Sequence, residues 1–320
     1  MEFLFLAWLG KPVWMWVMFI ALVIGLMALD LGVLNRGNKE IGVRKSLQLS
    51  AFYIALGLSY GGFVWWQVGQ EAAIAYVTGF VVEKSLAMDN VFVIAMIFSA
   101  LAIPRQYQHR VLFWGILGVI ILRALMIGIG AALVSQFSWV LYIFAAFLIF
   151  TGVQMWRTAD VHFDVEGSKI LAFIRRHLPV TPTLHGGQFF VKEGGRRWVT
   201  PLFVALLMVE FADIIFAIDS VPAIFAITTD PFLVYTSNIF AILGLRALYF
   251  ALAAVIDRFA YLKYALAVLL VFIGSKIFAA DALGIAKIPP ALSLGVTFAI
   301  LAAGVALSLW KTRGGATPAS

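Results

Sequence analysis

Residues 83–98 read EKSLAMDNVFVIAMIF. Two carboxylates, Glu83 and Asp89, and the ammonium of Lys84 stand inside a segment, 72–100, that is otherwise apolar and long enough to cross a bilayer as a helix. Charge at that depth is costly unless paired or hydrated, so intramembrane acids mark function by default. A second stretch repeats the pattern: DIIFAIDSVPAIFAIT at 213–228 aligns with 83–98 and matches Glu83 with Asp213, Asp89 with Asp219, and Asn90 with Ser220. The match continues, because ILRALMI with Arg123 answers LGLRALYF with Arg246, and FLIFTGVQMW answers LLVFIGSKIF around Gly152 and Gly274. Three helices separate the partners, so the two copies run in opposite directions through the membrane. The sequence therefore predicts an inverted three-plus-three helix repeat, a recurrent plan of secondary transporters with substrate sites near the midplane.

Composition agrees with a polytopic, all-α membrane protein. The chain is 63% hydrophobic and only 12% charged, with a mean hydropathy of +1.01. Window hydropathy predicts nine transmembrane helices, at 13–34, 46–68, 72–100, 110–134, 138–156, 199–227, 232–255, 261–279 and 289–310. The first is read as a retained anchor rather than a signal peptide, being longer than a signal-peptide apolar core and lacking an A-x-A site. On this plan the chain is a single transmembrane domain: repeat A about 72–156, a cytosolic loop about 157–198, repeat B about 199–279, with helices 13–34, 46–68 and 289–310 peripheral. Alternate loops differ sharply in charge, with Lys11 and Lys287 alone on one side and the other 17 loop and tail Lys and Arg on the other. That asymmetry predicts an outer N-terminus and a cytoplasmic C-terminus. It also accounts for the net charge of +7 without nucleic acid as a partner. With no cysteine in 320 residues, disulfides, thiolate metal sites and thiol nucleophiles are excluded.

The long loop contains SKILAFIRRHL, read as a short interfacial helix with a basic face, and QFFVKEGGRRWV, read as a hairpin turning at Gly194 and Gly195. His162, Asp164 and Glu166 alternate in a pattern compatible with metal binding, although solvated polar loops are common. Gly57 and Gly61 form a GxxxG, read as close helix packing.

Six acids fall within the predicted helices: Asp30, Glu83, Asp89, Glu210, Asp213 and Asp219. Against the four intramembrane bases Lys84, Arg123, Arg246 and Lys276 they leave two negative charges, which suits a divalent cation or an equivalent number of protons. Carboxylates with Asn90, Ser220 and freed backbone carbonyls make a hard oxygen set, matched to Mg2+, Ca2+ or Mn2+ rather than Cu+. The candidate ligands are thus Glu83, Asp89, Asn90, Glu210, Asp213, Asp219, Ser220 and Asp30, although Asp30 serves equally well as an interfacial acid. No histidine lies in a predicted helix, and Met88 and Met208 read as packing residues. Six residues turn an ideal helix through about 600°, so Glu83 and Asp89 point about 120° apart. Either they face different neighbours or their helix is interrupted. Pro222 makes 199–227 the better candidate for a broken helix. Glu210 and Asp213 share a face. Lys84 is expected to pair with an acid of another helix, Arg123 and Arg246 to act as structural counter-ions, and Lys276 to snorkel to the outer interface.

The stretches EKSLAMDNVFV, VEFADIIFAIDSVPAIFAITTDPF and TSNIFAILGLRALYF resemble the signatures of the TerC family, especially its Alx-like members, over nearly the whole chain from 46–68 onward. The resemblance implies a bacterial inner-membrane protein associated with manganese export and with resistance to metal, tellurium or alkaline stress. It also places the family's intramembrane acids on Glu83, Asp89, Glu210, Asp213 and Asp219. The expectation is a non-enzyme without a resident cofactor that carries a divalent cation, Mn2+ before Ca2+, out of the cytoplasm by alternating access, with protons as the candidate counter-ion. The alternative is a membrane interaction protein that docks secretion or metal-resistance machinery. An aspartyl protease is disfavoured because neither Asp89 nor Asp219 stands in a GxGD sequence.

Overall fold

The computed structural model describes residues 2–29, 42–159, 164–252, 261–284 and 288–312. After a short 3-10 turn, β1 (Ala7–Trp8) and β2 (Lys11–Pro12) pair as a hairpin ahead of α1 (Val13–Leu29). Then come α2 (Val43–Val68), α3 (Gln70–Ala100), α4 (Arg105–Gln136) and α5 (Val140–Arg157). The loop folds as α6 (Lys169–His177) and the hairpin β3 (Phe190–Glu193) and β4 (Arg196–Val199), which lead into α7 (Pro201–Phe225). Next are α8 (Pro231–Leu243), α9 (Leu245–Leu252), α10 (Leu262–Ala282) and α11 (Pro290–Thr312).

The fold is all-α. Among the described residues six helices, α2, α4, α5, α7, α10 and α11, are long and apolar enough to span a bilayer, and α8 with α9 adds a seventh if the bent pair is one span. Of the other two predicted spans, α1 is an apolar helix of 17 residues and α3 is 31 residues long, about 46 Å, and carries Glu83, Lys84 and Asp89. α4 begins at Arg105, which brings His109 into a helix that the hydropathy window starts only at residue 110.

Local chemistry sets the element ends. Ser168 caps α6, its hydroxyl accepting from Ile170 N–H, and Arg175, Arg176 and His177 fill the last turn, where cations suit the helix dipole. Leu171 and Ile174 bury the apolar face of α6 against α7 while Phe173 stays exposed. The loop hairpin turns at Gly194 and Gly195, both with positive φ, as the sequence predicts. Asp230 caps α8 by accepting from Phe232 and Leu233 N–H, with Pro231 at the first helical position.

Two expectations about interrupted helices are corrected. α7 runs unbroken through Pro222, which lies in its last turn, where one missing donor does little damage, and the Pro222 carbonyl still accepts from Ala226 N–H at 3.0 Å. The break occurs instead within the predicted segment 232–255, where α8 and α9 meet at Gly244 with a bend of about 40°. α3, by contrast, is continuous. Gly57 and Gly61 do mark close packing of α2 on α3: a Cβ at Gly57 would lie 2.5 Å from the Phe80 ring, and Tyr76 Oη donates to the Gly57 carbonyl at 3.0 Å.

α5 and α10 pack closely, and their contact is reciprocal. A Cβ on Gly152 would stand 2.7 Å from the carbonyl oxygen of Ala267, and one on Gly274 would stand 2.5 Å from that of Ala145. Each glycine thus admits the backbone seven residues before the other.

Candidate ion site

Arg123 of α4 is wholly buried, and its guanidinium gathers groups from three other helices. Nη1 donates to Glu83 Oε1 and to Ser220 Oγ, each at 2.6 Å, and to Asn238 Oδ1 at 3.2 Å. Nε and Nη2 reach Asp213 Oδ2 and Oδ1 at 3.5 and 3.4 Å. Asn238 Nδ2 closes the ring by donating to Glu83 Oε2 at 3.2 Å. Five donors in a fixed plane let one arginine satisfy several acceptors, and burial without such partners would be prohibitive. Two carboxylates against one guanidinium leave this knot with a formal charge of minus one.

The predicted ligands therefore divide. Glu83, Asp213 and Ser220 are engaged with Arg123, which fulfils its expected role of structural counter-ion. Asp89, Asn90 and Asp219 line a cavity of about 430 Å³, whose walls also include Glu83, Ser220 and Arg123. The cavity runs beside the C-terminal half of α5, past Thr151 and Gln154, to Thr158 at that helix's end. Because α3 is continuous, Glu83 and Asp89 meet different neighbours: Glu83 faces α4, whereas Asp89 feels the field of Lys263 on α10. Glu210 is not in this cavity. Its carboxylate lies against Gly118 of α4, where any Cβ would collide with it, and its Oε2 is buried without a hydrogen-bond partner. Asp30 lies outside the described residues, as does His162. In the loop, Asp164 Oδ1 accepts from Gly167 N–H and so shapes a turn, while Glu166 is exposed. Among the described residues no three or more His, Cys, Asp or Glu side chains are arranged to hold a metal ion.

Lys84 also departs from expectation. It donates from Nζ to the carbonyl of Ala241 at 2.9 Å rather than pairing with an acid, and so satisfies an oxygen exposed at the α8–α9 break. A Cβ at Gly244 would come within 2.7 Å of that ammonium and 3.0 Å of Tyr53 Cβ, which explains why glycine stands there. Asn238, fully buried in the knot, was not singled out by sequence reasoning. The signal for it is the run Thr236, Ser237, Asn238 in an apolar helix, of which only the first two hydrogen-bond back to their own helix's carbonyls.

A second cavity, of about 380 Å³, opens at the other ends of the same helices. Ser138 and Tyr142 at the start of α5, Phe225 to Thr229 at the end of α7, and Lys276 and Asp281 on α10 line it, with Ser293 of α11. Lys276 Nζ donates to Ser293 Oγ at 3.3 Å, so this lysine is turned into the protein rather than only snorkelling outward. Along α7 the two cavities are separated by Val221 and Ile224, part of a buried apolar cluster.

A family model described as the integral membrane protein TerC family matches residues 68–316. The chain belongs to the TerC family. It is 48% identical over 304 residues to a membrane protein of Myxococcus xanthus, STKORF319, covering 95% of this chain and 94% of that one. Identity to a Rickettsia bellii membrane protein is 46% over 294 residues, 92% of this chain and 96% of the relative. A 44% match over 321 residues, 96% and 99% of the two chains, links it to Alx of Escherichia coli (strain K12), described as a candidate membrane-bound redox modulator. No solved structure matches the chain.

Proposed function

We propose that this TerC-family protein exports a divalent metal cation, Mn2+ foremost, from the cytoplasm of a bacterial cell across the inner membrane by alternating access. The observation that carries the reading is the acidic cavity: Asp89, Asn90 and Asp219 line one space of about 430 Å³ beside the hydrogen-bonded Arg123 knot. Hard oxygen donors of this kind suit Mn2+, Ca2+ and Mg2+, and the preference for Mn2+ comes from the family resemblance. Because Arg123 engages Glu83, Asp213 and Ser220, the cation is assigned to Asp89 and Asp219, whose two charges match those of a divalent ion, with Asn90 beside them. Reciprocal seating of Gly152 and Gly274 supports the inverted repeat, since a two-fold relation between the halves requires such paired contacts. The acidic cavity is assigned to the cytoplasmic side, because Thr158 at its mouth leads into the basic loop. Protons are the proposed counter-ion.

The redox description of the Alx relatives is compatible with this reading. The chain has no cysteine and hence no thiol couple of its own, so a redox effect would act through the supply of a redox-active metal. Purified protein reconstituted alone into liposomes separates the transporter from an interaction protein. Mn2+ flux is expected from the isolated chain, and its absence there, with activity restored only by a membrane partner, would favour the interaction reading.

A further inference from the structure

The two cavities take matching positions along α5 and α10, and their walls carry different charge. In the register that matches Gly152 with Gly274, Gln154 corresponds to Lys276, Met155 to Ile277 and Thr158 to Ala280. The first member of each pair lines the acidic cavity and the second lines the other. Where the acidic cavity presents the neutral amide of Gln154, its counterpart presents an ammonium.

The charge contrast follows from the lining residues. Among the described residues, counting the whole knot, four carboxylates (Glu83, Asp89, Asp213 and Asp219) against Arg123 and the Lys263 that acts on Asp89 leave the acidic cavity and its immediate surroundings with two negative charges. In the second cavity one lysine stands against one carboxylate, Asp281, and leaves none. The nearby Asp230 contributes little, since its carboxylate is paired with Lys11 at 2.7 Å and caps α8. The remaining polar wall is hydroxyl: Thr78, Ser138, Tyr142, Thr228, Thr229 and Ser293. A divalent cation is therefore drawn into one cavity by Coulomb attraction and has no net hold in the other.

We propose that the second cavity is the release site for the cation bound at the acidic cavity, and that Lys276 makes it a weak one. This rests on the transport reading. Alternating access requires the same ion to be exposed to each side in turn. A cation that reaches the hydroxyl-lined side meets a fixed ammonium, held in place by Ser293, and leaves. Hydroxyls solvate it on the way without the charge needed to retain it. Lys276 is thus a specificity-determining residue that sets affinity on one face, rather than a group that binds the cargo.

The test uses membrane vesicles of both orientations, loaded with a Mn2+-sensitive dye, carrying the wild-type chain, Lys276→Gln or Lys276→Glu. In the wild type the half-saturating Mn2+ concentration is expected to be higher on the outer face than on the cytoplasmic one. Lys276→Glu gives that cavity two negative charges and is expected to lower the outer value by about tenfold, with Lys276→Gln intermediate. The cytoplasmic value should stay as in the wild type. Unchanged outer values in both variants, or equal shifts on the two faces, would overturn the proposal. Absence of wild-type flux from either face would instead remove the transport reading on which it rests.

Discussion

Arg123 Nη1 lies 2.6 Å from Glu83 Oε1, with both side chains at about 1% exposure, and this contact ties α4 to α3 at the centre of the helix bundle. It decides how the intramembrane acids are used. A guanidinium that consumes oxygens of Glu83, Asp213, Ser220 and Asn238 leaves Asp89 and Asp219 as the carboxylates of the acidic cavity outside that network.

Removing the cation should therefore cost more than removing one acid. Arg123→Leu leaves two buried carboxylates without their partner, a change that costs about 3–5 kcal/mol when a buried pair is broken. Glu83→Gln keeps Arg123 paired with Asp213 and retains a hydrogen-bonding amide, so it should be milder. Thermal unfolding in detergent, followed by the fluorescence of the 10 tryptophans, should rank wild type above Glu83→Gln and both above Arg123→Leu.

Gly244→Ala places a methyl group against Lys84 Nζ and Tyr53. Overpacking of this kind costs about 1–3 kcal/mol. Shortening the lysine in the same chain, Lys84→Ala, removes one of the two obstacles and also the donor to Ala241. The double variant should then lose less stability than the sum of the single losses in a denaturant-melting cycle. Strict additivity would mean that Lys84 and Gly244 do not interact.

Gly152→Ala and Gly274→Ala each drive a Cβ into a backbone oxygen of the facing helix, which has no side-chain rotamer with which to yield. Both should force α5 and α10 apart and destabilise by a similar amount, about 1–3 kcal/mol. Gly62→Ala, at a helical glycine where a Cβ meets nothing within 4 Å, serves as the control and should be neutral or slightly stabilising in thermal melts.

A fourth contact isolates Glu210. Gly118→Ala collides with its carboxylate, so Gly118→Ala should destabilise the protein, and Glu210→Ala in the same chain should restore most of the loss. Recovery measured by monodisperse yield on size exclusion would place Glu210 in packing against α4. No recovery would mean that the backbone at Gly118, rather than the carboxylate, is what the larger residue disturbs.

Much of this fold is legible in the sequence because a bilayer imposes a simple rule: long apolar runs become helices, and the runs behind α2, α4, α5, α7, α10 and α11 stay long and apolar enough even where α4 carries Arg123 and α7 carries Glu210, Asp213 and Asp219. The loop hairpin is equally plain, since two consecutive glycines supply the positive φ that its turn needs. The break at Gly244 is not legible locally. The donor that satisfies it is Lys84, 157 residues away from the Ala241 carbonyl that it reaches. Pro222 misleads for the opposite reason, because a proline near a helix end costs few hydrogen bonds. The division of the acids is likewise tertiary. Spacing along α3 separates Glu83 from Asp89, but only the position of Arg123 says which of them is engaged in the knot.

The central claim is that Asp89 and Asp219 hold the cation. Mn2+ binding to the purified protein in detergent, read by loss of the free-ion electron paramagnetic resonance signal, tests it most directly. The account predicts saturable binding in the wild type that falls at least about tenfold in affinity in Asp89→Asn and in Asp219→Asn, each of which removes one charge facing the ion. Wild-type affinity retained in the double variant Asp89→Asn/Asp219→Asn, with the protein still folded, would contradict it.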